Sequence, residues 1–95
     1  RADLDKVIEL APDFEYAYYN RAVLFCQQND YHAAIVDFNK AVEVNPRFGE
    51  AYFNRGLTHI FLGQTNEGLA DLSKAGELGL FKAYNIIKRY TEVEE

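Results

Sequence analysis

The sequence has no methionine, no tryptophan, two prolines and a single cysteine. Cys26 alone cannot form an internal disulfide, so nothing calls for an oxidising compartment, and a cysteine-based zinc cluster is excluded. Positive charge is also scarce. Ten basic residues stand against fifteen acidic ones, a net charge of −5 at pH 7. Nucleic acid and anionic lipid both require a basic face, so neither a nucleic-acid nor a membrane partner is expected. No apolar run approaches the ~18 residues of a membrane span. No signal peptide is visible. The chain opens at Arg1, which together with the missing methionine reads as a piece of something longer. What remains is a globular composition, 48% hydrophobic and 26% charged, sized for one small domain.

The residues that are present repeat at an offset of 34. Pro12 pairs with Pro46, Phe14 with Phe48, Ala17 with Ala51, Tyr18 with Tyr52, Asn20 with Asn54 and Arg21 with Arg55. Asp3, Asp37 and Asp71 form a triplet at that spacing, as do Lys6, Lys40 and Lys74, and Glu9, Glu43 and Glu77. Residues 13–46 against 47–80 give nine identities in 34 pairs. Ordinary amino-acid usage gives about two. A period of this length marks a solenoid, in which each unit buries its apolar face by stacking on the next.

Each unit reads as two helices. Ala17, Tyr18, Ala22 and Phe25 recur at helical spacing in the first. Asn29, and Gly63 one unit later, stand where a left-handed residue ends a helix. Asp30 is placed to cap the second helix, whose buried stripe is Ala34, Ile35, Phe38, Ala41 and Val42. Asn45-Pro46 closes it, because proline disfavours helix for the residue before it. The pattern predicts helices over 2–10, 14–28, 31–44, 48–62, 65–78 and 81–92. The last carries Ala83-Tyr84 at an offset of 32 from Ala51-Tyr52, so the Gly79-Leu80 connection is read as two residues shorter.

On these residues the sequence resembles the tetratricopeptide repeat family. Residues 15–48 match its pattern with Tyr18, Ala22, Phe25, Ala34, Phe38, Ala41 and Pro46, and residues 49–82 with Tyr52, Gly56, Leu72 and Ala75. His59, Gly68 and Leu80 depart from it, standing for the expected Tyr, Ala and Pro. The resemblance implies an all-α fold, a right-handed solenoid of antiparallel helical hairpins forming an α-α superhelix. The chain then divides as one domain over 1–95: 1–12 the second helix of a truncated repeat, 13–46 and 47–80 two repeats, 81–92 a capping helix and 93–95 a tail.

Chemical candidates are few. Ser73 is the single serine and reads as a solvated helical residue beside Lys74. His32 is expected to be exposed, and His59 to be half-buried in an aromatic slot. No acid or thiol joins them at metal-ligand spacing. The glycines follow no strand and carry no Lys-Ser/Thr, so no phosphate loop is indicated. No cofactor is called for, and no enzyme activity is expected.

The expected function is protein–protein interaction. In the resembled family the first helix of each unit lines the concave face. By phase this assigns a partner-binding groove to Tyr16, Tyr19, Asn20, Val23, Glu50, Phe53, Asn54, Leu57 and Ile60, bordered by Cys26, Gln27 and Phe61. Tyr84, Ile87 and Lys88 are placed to close its end. Tyr19 and Phe53 are read as its two aromatic anchors, one per unit. A subgroup of the family grips a C-terminal carboxylate with lysines, an arginine and asparagines. Asn20 and Asn54 match its asparagine slot, but Tyr16, Tyr19, Val23 and Glu50 do not supply the rest. The alternative is a purely structural segment of a longer solenoid, whose aromatics only pack together. Two further expectations follow. Arg21 with Asp37, and Arg55 with Asp71, should meet across each hairpin. The apolar residues Leu4, Val7, Ile8 and Leu10 at the open N-terminal end should allow weak homo-oligomer formation.

Overall fold

The computed structural model describes residues 15–91. It contains five helices: α1 (Glu15–Gln27), α2 (Tyr31–Val44), α3 (Gly49–Phe61), α4 (Thr65–Glu77) and α5 (Lys82–Thr91). Each lies within one residue of its predicted bounds, and no strand occurs among the described residues. The expected 2–10 helix, the 93–95 tail and the N-terminal end proposed for self-association lie outside the described residues.

The turns follow local chemistry. Asn29 has φ 62° and Gly63 φ 82°, the left-handed conformation expected at the ends of α1 and α3. Asp30 N donates to Phe25 O at 2.8 Å, and Gln64 N to His59 O at 2.8 Å. These are the long hydrogen bonds of a Schellman turn, which satisfy carbonyls left over at a helix end. Asp30 caps α2 by accepting from Ala33 N at 3.4 Å. Helix α2 ends differently, on Asn45 in extended backbone before Pro46. Helix α4 ends in a third Schellman turn at Gly79, φ 106°, with Leu80 N donating to Ala75 O at 3.0 Å. That tighter exit removes two residues. Ala51 N donates to Phe48 O, and Ala83 N correspondingly to Leu80 O. Ala51 and Ala83 are both fully buried, so the 32-residue phase of α5 holds in three dimensions.

The helices pack in sequence as antiparallel neighbours, and α1 also touches α3. Helices α1 and α3 thus lie on the same side of the stack. Two apolar clusters fill it. One gathers Tyr18, Ala22, Ala34, Phe38, Ala41, Phe48 and Ala51; the other gathers Phe53, Leu72, Ala75 and Ala83. Small residues sit where paired helices cross: Ala22 and Ala34 in the first hairpin, Gly56 and Gly68 in the second.

Each hairpin is locked as expected. Arg21 Nε and Nη2 donate to the two Asp37 carboxylate oxygens at 2.6 and 3.0 Å, and Arg55 does the same to Asp71 at 2.8 Å twice. The Asp71 bonds are the main reason that the Arg55 pKa is raised. Both aspartates are buried, so the fork-shaped guanidinium replaces the water that each carboxylate gives up.

Candidate functional site

The residues expected to line a groove lie on α1 and α3, with α5 at the end of the stack. Helical periodicity turns Ala17, Tyr18 and Ala22 of α1, and Ala51 and Gly56 of α3, toward the core. The expected groove residues fall on the remaining stripe of each helix. Tyr16 is 51% exposed and rests edge-on against Phe48, with ring centroids 5.0 Å apart. Asn20 is exposed, and Val23, Leu57 and Ile60 are half-buried. Val23 packs on the first cluster, Leu57 and Ile60 on the second. At the far edge Cys26 Sγ lies 3.4 Å from Thr58 Oγ1, and Phe61, 69% exposed, meets Tyr31 at 5.6 Å.

The two expected anchors differ from the sequence reading. Tyr19 is half-buried between Phe38 and Phe48, at centroid distances of 6.0 and 5.0 Å. Its hydroxyl accepts from Asn54 Nδ2 at 2.9 Å across the seam between the two units. Burial, and next the Glu50 charge, raise its pKa, and the Asn54 bond offsets part of this. Phe53 is only 9% exposed and belongs to the second core cluster. The short Gly79-Leu80 exit brings α5 in early, and Lys82 Nζ lies 4.7 Å from the centre of the Phe53 ring. Phe53 is therefore covered where an open aromatic step was expected. Lys82 was missed as a groove residue, although its offset of 32 from Glu50 marks the slot.

Several polar groups around this face are engaged. Asn54 Nδ2 also donates to the Glu50 backbone oxygen at 3.0 Å. Arg55 Nη1 donates to Asn39 Oδ1 at 2.8 Å, a link between units that the sequence did not suggest. His59 is half-buried as expected, with Nδ1 2.6 Å from Gln64 Oε1 and Nε2 3.9 Å from Asp71 Oδ2. Ser73, expected on an outer face, is half-buried. Tyr84, 45% exposed, leans over Gly76, where a Cβ would stand 2.5 Å from its ring. Ile87 is half-buried and Lys88 exposed. Among the described residues no group of three potential ligands is placed to hold a metal ion, and no helix is long and apolar enough to cross a membrane.

Comparison with known proteins gives a consistent result. Two family models, each described as tetratricopeptide repeat, match residues 15–48 and 38–70. No curated protein matches the sequence. Among solved structures, the first TPR of Spaghetti (RPAP3) bound to the HSP90 peptide SRMEEVD superimposes with a TM-score of 0.87 at 25% identity, covering 94% of this chain and 72% of that one. A MamA structure superimposes with a TM-score of 0.78 at 27% identity, over 85% of this chain and 47% of that chain. A second MamA structure, at 24% identity and a TM-score of 0.74, shows the same fold over 97% of this chain and 47% of its own.

Proposed function

The chain belongs to the tetratricopeptide repeat family, whose repeats build protein-interaction scaffolds, and we propose that its inner face, lined by α1, α3 and α5, takes a peptide or helix of a partner protein. The observation that carries this reading is the composition of that face. Tyr16 stands out of it, Val23, Leu57 and Ile60 stay partly open, and Asn20 and Asn54 run beside them. An apolar strip edged by amides suits a peptide, whose side chains take the apolar contact while its backbone takes the hydrogen bonds. The Spaghetti (RPAP3) module, itself bound to a peptide, has the same architecture.

The reading includes no enzymatic step. His59 is engaged with Gln64 and Asp71, leaving Ser73 without an evident base. The net charge of −5 argues against nucleic-acid and anionic-membrane partners. The competing account is a structural segment of a longer solenoid, and the burial of Tyr19 and Phe53 favours it at those two positions.

Tyr16 and Asn20 separate the two accounts, because both are exposed and neither belongs to the core clusters. Peptides would be selected from a display library on the full chain. Tyr16→Ala with Asn20→Ala should weaken their binding by about tenfold, the loss of roughly 1.4 kcal/mol at an interface residue. Its stability should fall by about 0.5–1.5 kcal/mol, the loss of the Tyr16–Phe48 edge contact, leaving the chain folded. Val36→Ala, on α2 and 58% exposed, should leave binding unchanged. Equal binding by all three proteins would leave the structural account standing.

A further inference from the structure

The seam between α1 and α3 holds a polar group whose hydrogens are already allotted. Asn54 Nδ2 donates to Tyr19 Oη and to the Glu50 backbone oxygen. A primary amide nitrogen carries two hydrogens, so both are used. The orientation is forced, because a flipped amide would set its oxygen against the Glu50 carbonyl, acceptor against acceptor. Asn54 Oδ1 accepts from no donor among the described residues. No buried side-chain oxygen or nitrogen there is left without a partner, so Asn54 Oδ1 opens to solvent. Glu50 lies one turn before Asn54 on the same helix, is half-buried, and makes no ion pair among the described residues. Its charge is felt at Tyr19, whose ionisation it opposes. Lys82, in the equivalent slot on α5, is turned onto the Phe53 ring and forms no ion pair with Glu50.

We infer that Asn54 Oδ1 and the Glu50 carboxylate form an acceptor site that selects a cationic side chain, lysine or arginine, of a partner peptide and rejects a carboxylate there. The inference rests on the groove reading above and gives it a charge preference. An ammonium brings three donors and a guanidinium five, and either makes charge-assisted bonds to such a pair. An acidic group meets two acceptors and a like charge, with no amide hydrogen to spare. Tyr19 acts as a positioning residue. By accepting one Asn54 hydrogen it keeps the amide oxygen outward.

The test uses an array of random peptides, acetylated and amidated at their ends, probed with the full 95-residue chain. Lysine and arginine should be enriched and aspartate and glutamate depleted among the bound peptides. Glu50→Gln should weaken binding of the basic peptides roughly two- to fivefold, the range of a partly solvated ion pair. Salt of about 0.5 M should remove the preference by screening. Tyr19→Phe frees one Asn54 hydrogen for a ligand, so it should admit more acidic peptides, a change of selectivity that mere loss of packing would not produce. Acidic peptides preferred by the natural chain, or basic peptides indifferent to both substitutions, would overturn the inference while leaving the groove intact. Peptides indifferent to Tyr16→Ala with Asn20→Ala, or no enrichment at all, would overturn the groove reading along with it.

Discussion

Tyr19 is shared between core and groove. Its ring packs on Phe38 and Phe48, and its hydroxyl holds Asn54 across the seam. Burial is the first cause of its raised pKa and the Glu50 charge the second, above an ordinary tyrosine value of 10.0. A raised pKa means that the folded chain holds this proton more tightly than the unfolded chain. The resulting stability is complete below the ordinary value and is lost as pH rises through the folded one. Melting temperatures of the natural chain should therefore fall more steeply above about pH 10 than those of Tyr19→Phe. Parallel curves would show that another group governs the alkaline loss. Phe53 carries a related lesson, since a slot that faces the groove by phase is covered by its neighbour's lysine.

Among the elements, the two hairpins use the same crossing with different side chains. Ala22 and Ala34 meet between α1 and α2, and Gly56 and Gly68 take those slots between α3 and α4. The second crossing is close enough to exclude a side chain. A Cβ at Gly68 would stand 2.6 Å from Gly56 O and 2.6 Å from Ile60 Cγ1, and one at Gly56 would stand 2.8 Å from Gly68 O. Backbone cannot yield as a flexible side-chain end does. Gly68→Ala gains up to ~1 kcal/mol of helix propensity yet should lose more than that to overpacking of ~1–3 kcal/mol. A thermal melt of Gly68→Ala should show net destabilisation. A stabilised variant would mean that the crossing relaxes freely. The α5 helix has Lys88 where these small residues fall, counting by its 32-residue phase, so it presents no equivalent crossing.

For the whole molecule, stability is passed between neighbouring units. The junction centres on Phe48, 7% exposed, which starts α3 yet packs in the first cluster against Tyr16 and Tyr19. The Tyr31–Phe61 ring contact and side-chain links such as Asn54 to Tyr19, Arg55 to Asn39 and Cys26 to Thr58 supplement it. Phe48→Ala should cost ~3–5 kcal/mol, concentrated at this junction. Hydrogen exchange should then report separate opening of α1–α2 and α3–α5, where the natural chain opens the two together. Uniform loss of protection across all five helices would place the coupling elsewhere.

The repeat offset, the helix bounds, the left-handed turn residues and both Arg–Asp locks were legible in the sequence, because each depends on residue spacing along one chain segment or one hairpin. The early entry of α5 was legible too, from the 32-residue offset of Ala83-Tyr84. Which groove residues stay open was not. Phase alone places Tyr19 and Phe53 in one equivalent slot, but exposure depends on what the next unit sets against each. Asn54 and Phe48 lie beside Tyr19, and Lys82 lies over Phe53. The hydrogen-bonding direction of Asn54 was equally hidden, since a sequence shows an amide but not which of its atoms a neighbour has engaged. Local spacing determined the elements and their pairing. The charge and openness of the inner face were decided only when side chains from successive units met.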